Sequence, residues 1–209
     1  VLDDIRERGD QAVSDALAEY EDVKIAPAKF AVSKADRMAA MEKVDGNFKK
    51  AAADVLSRIT KFSKAGLRKD WNILTPKGGM MGEQFNPLQR VGCYIPGGAS
   101  PLASTALMTV GLAKVAGVPE IVACTPAEKS GKVNPYVLYA LDLAGATEIY
   151  RIGGIQAIGA MAYGTKTIRA RAEDRGPRRA LRDGRQAPGL RGGGPGHGGG
   201  AERGGHPGG

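Results

Sequence analysis

Histidine is missing from the first 196 residues of this 209-residue chain; His197 and His206 both fall in a glycine-rich run near its end. Zinc centres hold His, Cys, Asp or Glu together, so the body of the chain has no material for a histidine-based metal site or acid–base pair. Cysteine is scarce as well. Cys93 and Cys124 are the two present, too few for a disulfide framework. They could pair with each other, but they suit reduced, buried thiols in a cytoplasmic protein better. No apolar run reaches the roughly 18 residues that a membrane span needs. The first residues, VLDDIRERGD, lack the basic and apolar regions of a signal peptide. They also lack an initiator Met, which predicts that the natural start lies upstream.

A net charge of +8 would suit a nucleic-acid partner, but its distribution argues otherwise. Residues 170–209 hold eight Arg, no Lys and four acids, so about half of the excess sits in that tail. The rest is a mildly basic segment with an ordinary solvated surface.

Hydrophobic spacing predicts helix over residues 2–20, broken near Gly9, and one or two long helices over 33–65, with Ser33 and Asp36 as a capping box and Gly46 as the divider. WNILTP, MMGEQF and RVGCYIP are short, turn-bounded, strand-like runs. From Val91 the pattern becomes regular. VGCYI reads as strand, PLASTALMTVGLAKVAG as helix stopping at Gly117, and EIVACTP as buried strand. Asn134 and Pro135 start YVLYALDLA, which stops at Gly145; EIYRI and then IQAIGAMAYG follow. Strands and helices in this order predict an α/β fold with a Rossmann-like parallel sheet and right-handed crossovers. After Ile168 the periodicity ends. The Gly/Arg tail has too few apolar side chains to offset the entropy of ordering, so disorder is expected there. The expected divisions are a helical and strand region over 1–89, a partial nucleotide-binding region over 90–169 and the tail over 170–209.

Ligands of parallel sheets lie beyond the carboxyl ends of the strands. Two glycine turns belong at that edge, Pro96-Gly97-Gly98 and Gly153-Gly154. Either they are tight turns and nothing more, or their missing Cβ atoms let a ligand touch backbone at helix starts that carry unpaired N–H groups, as a dinucleotide's pyrophosphate would. Tyr94 closes the first strand and could stack on or hydrogen-bond to a bound ring or ribose; Gln156, one turn into the last helix, offers a donor and an acceptor. Each has a plain alternative, a satisfied edge tyrosine and a surface glutamine. Ser100, Ser104 and Thr105 are expected to cap the helix rather than bind phosphate.

RVGCYIPGG, STALM, AKVAGVPEIVACTP and RIGGIQAIGAMAYGT, in order and with fitting spacing, resemble histidinol dehydrogenase; IRERGDQAV and the long helix are similar to its N-terminal region. The resemblance covers about residues 1–169. It implies oxidation of the amino alcohol L-histidinol to L-histidine through the aldehyde, with two NAD reduced, a bound zinc and a homodimer. It carries NAD contacts onto Tyr94 and Gln156 and classes the enzyme as an NAD-dependent zinc alcohol dehydrogenase. The family's zinc ligands and acid–base pair have no counterpart in 1–169, so no catalytic or metal residue is assigned. PGGASPLAST departs from the commonest family pattern and leaves room for a relative acting on another polar alcohol.

After AYGTKTI the family continues with something like KIVGPGN, whereas this chain reads RARAEDRGPRRALRDGRQ. Residues 171–178, RAEDRGPR, can be encoded as CGT GCA GAA GAT CGT GGG CCC CGG. Read one base later, the same bases spell VQKIVGPG. The same shift lets LRDGRQAPGLR become FVTDAKRQVFG and GGGAER become VAGPSE, both family-like and in family order. The shifted phase cannot place Asn after VGPG, which puts a third NAD contact in doubt. The tail therefore reads as out-of-frame translation, and the polypeptide itself is expected to lack dehydrogenase activity. The rival reading, a nucleic-acid-binding Arg/Gly tail, lacks the interleaved aromatics that stack on bases.

Overall fold

Gly9 adopts φ 58, a left-handed value that favours glycine, and there the first helical stretch divides into α1 (Leu2–Arg8) and α2 (Asp10–Tyr20). In the computed structural model, residues 1–97 and 101–170 are described. Gly98, Ala99 and Ser100, and the tail from residue 171, for which disorder was expected, lie outside the described residues.

The expected capping box forms at the start of α3 (Lys34–Lys43). The Asp36 amide donates to Ser33 Oγ over 3.1 Å, and the Ser33 amide donates back to Asp36 Oδ2 over 3.2 Å. The break before α4 (Gly46–Ala65) falls one residue earlier than Gly46. Asp45 is the N-cap, and its carboxylate accepts from the Asn47 and Phe48 amides. β1 (Trp71–Leu74) and β2 (Met80–Glu83) then pair antiparallel, with Trp71 opposite Glu83. Every residue of this ribbon is exposed, Leu74 and Met80 included.

Parallel strands cannot be joined by hairpins, so each needs a crossover. The chain supplies two in succession: β3 (Arg90–Tyr94), α5 (Ala103–Val115), β4 (Glu120–Cys124), α6 (Pro135–Ala144) and β5 (Glu148–Tyr150), closed by α7 (Gly154–Tyr163). The sheet order is β3-β4-β5, all parallel. Asn134 caps α6, with Pro135 in its first turn, and Gly145 ends it at φ 99. This is the Rossmann-like α/β layout that the sequence implied.

Alternate residues of the strands feed two cores. Cys93, Ile121, Ala123 and Ile149 pack with α5 and α6 on one face, with α4 against α5 and α3 against α6. Val122, Cys124 and Tyr150 face the other way, onto α1, α2 and α7. The N-terminal helices therefore cover the second face of the sheet, and the described residues fall within one compact unit. The outer edge of β5 is covered by residues 30–32: the Val32 amide donates to Ile149 O, and the Arg151 amide to Phe30 O. Among the described residues, no helix is long and apolar enough to cross a membrane.

The three parallel strands begin with Arg90, Glu120 and Glu148. The Arg90 guanidinium, 5% exposed, donates to Glu120 over 2.9 Å and to both oxygens of Glu148 over 2.7 Å. Arg90 pulls the Glu148 carboxyl from 4.5 to about 2, and the Tyr150 hydroxyl donates to it as well. Because the folded value lies below the unfolded one, this stabilisation is complete above pH 4.5 and disappears as pH falls toward 2. Glu148→Gln is expected to cost about 2–3 kcal/mol at neutral pH by leaving a buried guanidinium underpaired. Urea unfolding between those pH values should show a flatter acid dependence in the variant than in the parent.

Candidate functional site

The carboxyl ends of the strands open into a cleft of about 560 Å³. Glu21, Tyr94, Gly97, Pro126, Asn134 and Gly154 are among the residues that line it. Tyr94 is the last residue of β3, and its hydroxyl accepts a hydrogen bond from the Gly154 amide over 3.2 Å. That amide belongs to the first turn of α7, one of the N–H groups a helix start leaves without an intrahelical partner. The phenol proton of Tyr94 remains available for a ligand. Asn134 directs its carboxamide oxygen to the Tyr136 amide and so caps α6 at the rim.

Gln156 is placed differently from the surface alternative. It is 1% exposed, and its Nε2 donates to Glu21 Oε1 over 2.7 Å. Gln156 thus lies beneath the cleft rather than in its wall, and Glu21 stands in the wall in its place. Glu21 was not among the candidates read from the sequence. It caps the carboxyl end of α2, far along the chain from the glycine turns, and no local pattern marks it. Burial pushes its carboxyl up, against the opposing pull of the Gln156 bond. Its second oxygen, Oε2, is buried without a hydrogen-bond partner.

Gly97, Gly153 and Gly154, the described glycines of the two turns, answer to neighbours within the protein. A Cβ on Gly153 would overlap both carboxylate oxygens of Glu21 and the Pro126 ring; one on Gly97 would overlap the same proline. Gly154 sits at φ 57, which disfavours any other residue. The close approach that excludes a side chain at Gly97 and Gly153 is therefore intramolecular, and it shapes the cleft. The capping expectation for Ser104 and Thr105 is not met. The N-cap of α5 is Leu102, without a side-chain bond, and both hydroxyl residues lie inside the helix. Ser100 is outside the described residues.

The described residues do not fit a zinc ion. They contain no group of three or more His, Cys, Asp or Glu able to hold a metal. Cys93 and Cys124 are buried free thiols on opposite faces of the sheet, and burial pushes Cys124 up to about 12, away from the thiolate that zinc requires. A dinucleotide fits better: the cleft is roomy, sits at the strands' carboxyl edge, and offers a phenol and an unsatisfied carboxylate.

Residues 1–177 match the family model described as histidinol dehydrogenase. Histidinol dehydrogenase from Gloeobacter violaceus is 40% identical over 168 residues, covering 80% of this chain and 38% of that protein. The enzyme from Methanothermobacter thermautotrophicus is 40% identical over 169 residues, covering 81% and 39%. Among solved structures, histidinol dehydrogenase from Elizabethkingia anophelis superposes with a TM-score of 0.76 at 36% identity, over 81% of this chain and 39% of that one. The chain spans less than half the length of these relatives. The matches correct one expectation: the family is histidinol dehydrogenase, not the zinc alcohol dehydrogenases under which the enzyme was classed.

Gly153→Ala should cost about 1–3 kcal/mol, since the new methyl group has no space between Glu21 and Pro126. A double-mutant cycle with Glu21→Ser, read by urea unfolding, should return part of that loss, because one of the two obstacles is then removed.

Proposed function

The chain belongs to the histidinol dehydrogenase family, and we propose that it carries the dinucleotide-holding part of that enzyme's reaction, the oxidation of L-histidinol to L-histidine. The observation that supports this most directly is the cleft where Tyr94 and the amino end of α7 meet at the carboxyl edge of a parallel sheet. NAD bound there would supply the hydride acceptor.

The chain's own residues would bind and orient. Tyr94 accepts from Gly154 and keeps its proton for the cofactor, while its ring forms part of the wall. Gln156 commits Nε2 to Glu21 and holds its carbonyl oxygen near Gly154; in this reading it serves the cofactor from beneath the cleft, by positioning Glu21 and the Gly154 turn. Residues 90–169 form the nucleotide-holding region and residues 1–89 its covering layer. No step is assigned to zinc, because the described residues offer no site for it. An amino alcohol substrate, a homodimer and a cytoplasmic setting complete the proposal; the unpaired thiols favour the last.

Calorimetric titration of the chain with NAD is expected to show saturable binding. Tyr94→Phe should weaken it about fivefold, the worth of one hydrogen bond of ~1 kcal/mol, and Gln156→Leu by at least as much. Absence of binding, or equal affinity in all three proteins, would overturn the assignment. With histidinol and NAD added, the 209-residue chain is expected to yield no NADH.

A further inference from the structure

Glu21 has the one feature of the cleft that the preceding reading leaves unused. Its Oε1 is engaged by Gln156, its Oε2 is buried without a donor, and Gly153 and Pro126 press against it. An acceptor in that state is completed either by a proton or by an O–H or N–H brought in by a ligand. Glu21 already lines the cleft, where a donor on a ligand would meet it.

The charge layout narrows the ligand group. Glu21 lies against the first residues of α7, so its negative charge occupies the end of the helix dipole that a phosphate would otherwise use. The other charged residue lining the cleft, Glu128, is also acidic, and its Oε1 accepts from Asn134 over 3.5 Å. No Lys or Arg lines the cleft among the described residues. Among the described residues, a phosphate at the Glu21 end would meet carboxylates and no cation. The opposite wall is different: among the described residues no side chain caps the start of α5, where a helix leaves N–H groups without intrahelical partners, beside Pro101 and Leu102. The pyrophosphate of a dinucleotide belongs on that side, which leaves an uncharged, hydroxyl-bearing part for Glu21.

We propose that Glu21 accepts the ribose hydroxyls of the dinucleotide and sets the discrimination against one phosphorylated at the 2′ position. This rests on the cleft being the nucleotide site. A free vicinal diol offers two O–H donors to the carboxylate. A 2′-phosphate removes one donor and adds a charge of about −2 next to an anion.

The test is calorimetric titration of the full 209-residue chain with NAD and with NADP, for the parent, Glu21→Gln and Glu21→Ser. The parent should bind NAD at least tenfold more tightly than NADP. Glu21→Ser should reduce that ratio at least tenfold, weakening NAD while strengthening NADP. Glu21→Gln keeps shape and hydrogen bonding but loses the charge, and should strengthen NADP with a smaller loss of NAD. If Glu21→Ser does not fold, as judged by circular dichroism, the near-isosteric Gln variant decides. An unchanged ratio in the folded variants, or equal weakening of both dinucleotides, overturns the role of Glu21 while leaving the cleft as a nucleotide site. A parent that binds neither dinucleotide overturns the cleft assignment itself, and this inference with it.

Discussion

Arg90 is the constraint on which the rest of the domain depends. Parallel strands have no hairpin to set their register, and each of the three here starts after a long excursion of chain. One buried guanidinium joins the first residues of all three, reaching across β4 to grip Glu148 on β5. Arg169, beyond α7, returns to the same carboxylates at the same end. With the amino ends fastened, the carboxyl ends come level: Tyr94 lies opposite Cys124, and Cys124 opposite Tyr150. That alignment places the loops after β3, β4 and β5 side by side, and the cleft exists because of it.

Once those loops are level, what the cleft contains is decided by crowding. Pro126 presses on both glycine turns, and Glu21 fills the space under Gly153. The glycines hold the walls close, and the acid from α2 enters because α2 is packed against α7 through Val13 and Leu17 in the second core. A side chain from the N-terminal layer thus becomes part of a surface formed mainly by the sheet.

The second half of the chain was largely legible in sequence, because its local signals and its tertiary needs agree. Asn134-Pro135 and Gly145 bound α6 where capping chemistry places them, and apolar runs such as EIVAC suit strands buried on both faces. Gly117, read as a helix stop, does lie at φ 81, two residues after α5 ends. What was not legible depends on partners distant along the chain. The edge pairing of residues 30–32 with β5 has no alternating pattern behind it. Glu21 looks like any surface acid after an amphipathic helix. Gln156 was placed in the correct turn, but only the position of Glu21 determines that it points inward. At Leu102 the hydroxyl residues nearby suggested a cap, yet the helix begins without one.

The two thiols sit on neighbouring strands one residue out of step, so each is sealed into a different core. They cannot meet without separating the sheet from its helices. An alkylating reagent would therefore reach Cys93 only when the α5–α6 layer lifts, and Cys124 only when the α1–α2–α7 layer does. The order in which the two sulfurs are modified would tell which side of the molecule opens first.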